Sequence, residues 1–197
     1  MFSVLGASIA AGDHHQEPMR LFRPDLDVDA ESAALLRSGR SWHASAEDLY
    51  PDALACLREL AALGYGLGVA ANQPAEVAGM IRSMGIDLDL VGMSAAWGLH
   101  KPDPAFFRRI AEELALPSEA IAYVGDRVDN DVRPARAAGM VAIFVRRGPW
   151  GWIQAGREDP PEADLVIASL AELPKRLGPA DGGPEKERGT GAAAPAG

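Results

Sequence analysis

From about residue 45 onward, apolar runs of four to six residues alternate with stretches of helical periodicity, and the joints carry Gly, Pro, Asp or Asn. This punctuation reads as β-α alternation, which implies a parallel sheet covered by helices on both faces. Ser45 with Asp48 offers an N-cap and an acidic first turn, Pro51 suits the start of a helix, and Leu54, Leu57, Leu60 and Leu63 recur until Gly64 stops it. A strand over 66–71 follows. Beyond Asn72, Gln73 and Pro74, a second helix carries Val77, Met80, Ile81 and Met84 to Gly85, and 88–93 reads as the next short strand. Asp103 and Pro104 open a helix with Phe106, Phe107, Ile110 and Leu114; the buried strand 121–124 then runs into Gly125 and Asp126. A further helix stops at Gly139, 141–145 and 165–167 are strands, and Ser169 with Glu172 forms a capping-box signature for the last helix.

The two ends lack this alternation. Residues 1–44 show no strand periodicity, and Val4, Leu5 and Ile9 fit helical turns, so a helical accessory segment is expected before an α/β core at 45–177. Residues 178–197 are mostly Gly, Ala and Pro, which bury too little apolar surface to offset chain ordering, so a disordered tail is expected. With 19 basic and 28 acidic residues the net charge is −9, and no run of Lys or Arg is present. Nucleic acid and anionic membranes, which require clustered positive charge, are therefore not expected partners, whereas a small molecule is. No run approaches the roughly 18 apolar residues of a spanning helix, and the apolar start from Phe2 to Ala11 lacks the positive flank of a signal peptide, so the expected location is cytoplasmic. The single cysteine, Cys56, cannot form an internal disulfide and fits a helix core position.

In a parallel α/β sheet, ligands bind where loops leave the carboxyl ends of the strands. Polar loops fall there: Asn72-Gln73, 98–104 around Lys101, 125–131, and Arg146-Arg147. Asp126, Asp129 and Asp131 place three carboxylates just after a buried strand, a costly arrangement unless a cation is present, and Mg²⁺ takes such oxygen ligands. The same residues would also serve as an acidic first turn favouring the following helix dipole. Lys101, held before Pro102, enters the same edge as a point charge suited to phosphate. Together these residues describe a metal and phosphate site.

At these residues the chain resembles the haloacid dehalogenase-like hydrolase superfamily, in its phosphatase-like branch with a helical cap. The likeness covers roughly residues 45–175 and is carried by Gly98-Leu99-His100-Lys101-Pro102-Asp103-Pro104 and by Tyr123-Val124-Gly125-Asp126 through Asn130-Asp131 to Ala138-Gly139-Met140. The resemblance implies a doubly wound parallel sheet, a cap segment over 1–44, and Mg²⁺ as cofactor. It also implies that Lys101 neutralises the nucleophile and the transferring phosphoryl group, and that Asp126 and Asp131 hold or orient the metal. Where the family has Ser or Thr to bind phosphate this chain has Ala71, and the following Asn72 is the expected substrate-binding replacement.

The family's first motif, an apolar strand ending in D-x-D that carries the nucleophile, has no match. Asp25, Asp27 and Asp29 alternate correctly, but Arg23-Pro24 stands where the apolar strand belongs, so they read as loop acids. Phe2 to Ala10 is apolar enough but offers Ala7 and Ser8 in place of carboxylates. Because neighbouring strands lie about 4.8 Å apart, omitting this central strand leaves roughly a double gap, and an upstream strand bearing the nucleophile is expected. With that carboxylate, the resemblance implies hydrolysis of a small phosphorylated metabolite through an aspartyl-phosphate. The alternative is an inactive relative that binds phosphate or a protein; a halide-releasing hydrolase needs no metal and suits the dense acids less well. His14, His15, Trp42 and His43 fall in or beside the cap segment, and Trp150 and Trp152 read as cover for the sheet's edge.

Overall fold

The computed structural model describes residues 23–38, 45–154, 160 and 162–180. The expectations placed on 1–22, 39–44 and 181–197, including His14, His15, Trp42, His43 and most of the tail, lie outside these residues.

Helix α1 is Val28–Arg37. It starts where Asp27 accepts a hydrogen bond from the Ala30 amide at 2.9 Å, while Asp25 pairs with Arg23. The α/β portion then runs α2 (Ala53–Ala62), β1 (Gly68–Ala71), α3 (Val77–Ser83), β2 (Leu90–Met93), α4 (Ser94–Trp97) and α5 (Pro104–Leu114). It continues through β3 (Ala122–Gly125), a π turn at Val128–Val132, α6 (Arg133–Ala137), β4 (Val141–Val145), α7 (Gly148–Gln154), β5 (Leu165–Ile167) and α8 (Leu173–Leu177). Among the described residues no helix is long and apolar enough to cross a membrane.

Every strand pairing is parallel, but the strands fall into two sheets. β1 pairs with β2 from Gly68↔Leu90 to Ala71↔Met93, while β4 pairs with β3 on one side and β5 on the other. Among the described residues no ladder joins β1 to β3. The two are linked instead by a side chain: the Tyr123 hydroxyl donates to the Ala70 carbonyl at 3.2 Å. The two facing strands have no fully buried residue, whereas β4 buries four in a row, Ala142 to Val145.

Alternation along β4 assigns the faces. Ala142 and Phe144 pack with Phe106, Phe107 and Ile110 of α5 and Ala135 of α6; Ile143 and Val145 pack with Cys56 and Leu60 of α2 and Leu173 of α8. Helices thus cover both faces, as β-α alternation requires. α5 starts where Asp103 accepts from the Ala105 amide at 2.8 Å with Pro104 in the first turn.

Two local expectations change. The Ser45–Asp48 capping box forms, but it caps a short 3-10 turn, and α2 begins only at Ala53. Asp52, at the N-cap of α2, makes no capping bond because its carboxylate is used elsewhere: it accepts from Arg147, from the Ser169 hydroxyl at 2.6 Å and from the Leu170 amide at 2.9 Å. The second change is α7, a helix in a Gly-Pro-Trp-Gly-Trp stretch with no helical periodicity. Within it the Trp150 ring faces the Arg127 guanidinium at 5.4 Å, and Trp152 is 60% exposed beside Arg146.

Candidate functional site

The loops leaving β1, β2 and β3 converge, and each of the residues expected at the site is among them. Lys101 reaches over from the loop after α4 and donates to Asp131 at 2.6 Å; the two side chains are only 12% and 5% exposed. The other Asp131 oxygen accepts the Arg127 amide at 3.1 Å. This inward turn follows from the backbone. The π turn carries Asp131 back over the end of β3, and it fits because residue 125 is glycine: a Cβ there would overlap the Asp131 side chain, with Oδ2 at 2.7 Å.

Asn72 lies beside Lys101 and is bonded to its backbone. Its amide N–H donates to the Lys101 carbonyl at 2.9 Å and its amide oxygen accepts the Lys101 N–H at 2.8 Å. The side chain therefore fixes the lysine's backbone across the space between β1 and the lysine loop. Asp129 departs from the three-carboxylate picture: it is held by Arg127, with Nη2 to Oδ2 at 2.7 Å and Nε to Oδ1 at 3.2 Å. Two carboxylates, Asp126 and Asp131, remain at the end of β3.

Their electrostatics differ from those of solvated acids. Burial raises the Asp126 carboxyl above its ordinary range and the neighbouring Asp131 charge pushes it further; a backbone hydrogen bond and the positive charges of Lys101 and Arg127 only partly oppose this. Among the described residues no cation pairs with Asp126 at salt-bridge distance. Burial alone would lower the Lys101 ammonium, but Tyr123 and Asp131 outweigh it, so the lysine stays charged. The Tyr123 hydroxyl is pushed up to about 12, mainly by burial, and its ring lies 5.6 Å from Lys101 Nζ.

Among the described residues no set of three His, Cys, Asp or Glu side chains is grouped to hold a metal. Mg²⁺ does not require one, since it keeps several waters and commonly takes one or two carboxylates plus substrate phosphate. A carboxylate pair with one member charge-compensated and the other destabilised in its ionised form fits such an ion.

The comparisons with known proteins agree with this geometry. The family model for haloacid dehalogenase-like hydrolases matches residues 10–139. The chain belongs to the haloacid dehalogenase-like hydrolases. Within that family it is 36% identical over 128 residues to a glyceraldehyde 3-phosphate phosphatase of Methanocaldococcus jannaschii, covering 63% of this chain and 54% of the relative. It is 35% identical over 132 residues to a phosphoserine phosphatase of Thermus thermophilus, covering 64% and 49%. The crystal structure of a phosphatase of this family from Thermococcus onnurineus superposes with a TM-score of 0.58 at 29% identity, covering 66% of this chain and 59% of that one. The chain thus spans about half the length of the curated relatives it matches.

Sequence reasoning missed Arg127, Tyr123 and Gln154. Gln154 Oε1 accepts the Val128 amide at 3.1 Å, inside the acidic loop. A signal for Arg127 was present in Arg127-Val128-Asp129, an opposite-charge pair two residues apart. Nothing local marked Gln154, which is distant in sequence from the loop it touches.

Proposed function

We propose that this haloacid dehalogenase-like hydrolase works as a Mg²⁺-dependent phosphatase of small phosphorylated metabolites. The observation that carries the reading is the convergence of the Lys101 ammonium, Asp131 and Asp126, which has no ion-pair partner among the described residues, at the end of β3, beside the space between β1 and β3. The relatives named for glyceraldehyde 3-phosphate and phosphoserine support the substrate class.

In this reading a carboxylate on a strand lying between β1 and β3 attacks phosphorus while the ester P–O bond breaks and the departing alkoxide takes a proton from water, a proton that the second, hydrolytic step gives back. Water then splits the aspartyl-phosphate, returning the carboxylate and releasing inorganic phosphate. Lys101 spends one N–H on Asp131 and offers its remaining donors to the phosphoryl oxygens, where negative charge develops. Asn72 keeps that lysine in register, and Asp126 and Asp131 hold the metal. When bound, Mg²⁺ supplies further neutralisation of the same oxygens.

A second reading, a phosphate-binding module without turnover, is favoured by one observation: among the described residues no third carboxylate joins Asp126 and Asp131. Hydrolysis of an aryl phosphate by the full chain separates the two. Turnover that requires Mg²⁺ and disappears in Asp126→Ala supports the phosphatase. Phosphate binding by a folded chain that releases no product from the ester overturns it in favour of the module.

A further inference from the structure

The outer side of the acidic loop is held by α7, an element that supplies no group to the chemistry above. Three contacts make the connection. The Gln154 amide oxygen accepts from the Val128 N–H at 3.1 Å, at the first residue of the π turn, next to the Arg127–Asp129 pair. The Trp150 ring lies 5.4 Å from the Arg127 guanidinium, which in turn grips Asp129 through two hydrogen bonds. The start of α7 is seated against the site, since a Cβ on Gly148 would stand 3.4 Å from Asp126 Oδ2.

These contacts bear on a competition. Arg127 adjoins Asp126 in the chain, and its guanidinium is a permanent cation suited to gripping a carboxylate. Asp126 makes no ion pair among the described residues, while the Arg127 guanidinium pairs with Asp129 and lies against Trp150. We infer that Gln154 and Trp150 are positioning residues that keep the Arg127–Asp129 pair turned away from Asp126, leaving that carboxylate open to the divalent cation. The inference rests on the metal reading of the site proposed above. It assigns α7 a part in metal affinity that its sequence does not announce, by a route distinct from ligation: it restrains an internal competitor.

The rescue that follows is one a merely structural role would not produce. Removing the restraint frees Arg127 to occupy Asp126, and removing Arg127 as well takes the competitor away. Binding of Mn²⁺, a spectroscopic stand-in for Mg²⁺, is followed by electron paramagnetic resonance on the full chain, with melting curves recorded for each variant. Gln154→Met is expected to weaken Mn²⁺ binding about tenfold, in the range seen when partners behind metal ligands are lost. Trp150→Leu, which keeps apolar volume under the loop, is expected to weaken it severalfold and serves if Gln154→Met melts early. Adding Arg127→Gln to either is expected to restore affinity to about the wild-type value. Weakening without rescue would show a loop that has simply lost its shape and would overturn the inference. Wild-type affinity in both single variants would overturn it while leaving the metal reading intact. No Mn²⁺ binding by the wild-type chain would overturn the metal reading and this inference together.

Discussion

Asp52 and Asp126 are both half-buried carboxylates close to strand ends, yet they sit in opposite company. Asp52 concentrates three donors on one oxygen: the Arg147 guanidinium, the Ser169 hydroxyl and the Leu170 amide. Those bonds, led by the one from Arg147, outweigh burial and bring its carboxyl down to about 2 from an ordinary 3.8. They also tie the start of α2 to the end of β4 and the loop after β5. Asp126 has burial and a neighbouring negative charge, and it is pushed the other way. A carboxylate whose charge is met from within the fold holds the fold together. One whose charge is left for something outside creates a demand for a ligand, at some expense to stability.

Between these two lies the Lys101–Asp131 pair, internally compensated and also part of the site, and breaking it gives the largest expected change. Lys101→Met leaves Asp131 buried without its counterion and is expected to cost about 3 kcal/mol, the lower end for opening a buried pair. Denaturant titration checks this, and a loss under 1 kcal/mol would mean that Asp131 reaches water more readily than its 5% exposure indicates.

Asp52→Asn tests the structural pole of the comparison. Its folded carboxyl lies below the unfolded value, so its stabilising contribution is present above about pH 4 and disappears as pH falls towards about 2. The side chain is still 18% exposed, and solvent screening reduces the expected loss at pH 7 to about 1–2 kcal/mol. Melting curves of wild type and Asp52→Asn should therefore converge between pH 4 and pH 2; a constant offset across that range would remove the charge argument.

Asp126→Asn gives the smallest effect and the opposite sign. A carboxyl raised by folding favours the protonated native state, so its ionised form costs stability at neutral pH, and that cost disappears as pH falls below both the folded and unfolded values. The variant is expected to melt slightly higher than metal-free wild type at pH 7 and to match it in acid. A clear drop in melting temperature at pH 7 would make Asp126 a structural acid like Asp52.

What the sequence makes legible is what depends on local periodicity. The strand over 141–145 appears with the predicted bounds, Gly64 and Gly139 follow the ends of their helices, and the Ser169–Glu172 capping box forms, on a 3-10 turn that leads into α8. Lys101, Asp126 and Asp131 converge as the spacing of their loops implies. The discrepancies come from side-chain partners that periodicity does not assign, most of them distant in the chain. α7 is stabilised by docking on Arg127 and Val128, although its two glycines and one proline argue against a helix. Asp129 looks like a third ligand in the sequence and is diverted by Arg127. Asn72, expected to bind substrate, also braces the Lys101 backbone, which its sequence neighbourhood does not announce. Residue type gives what a side chain is able to do, and its partner is set by tertiary packing.

Gly125 carries a consequence for anyone reading mutational data on this protein. It contributes no side-chain atom to any reaction, and its backbone belongs to an ordinary strand. Yet the space a methyl group would need is already filled by Asp131, so any replacement, alanine included, displaces that carboxylate first and Lys101 with it. In a saturation screen position 125 will score like an active-site residue: an intolerant site whose importance lies in the volume it leaves empty.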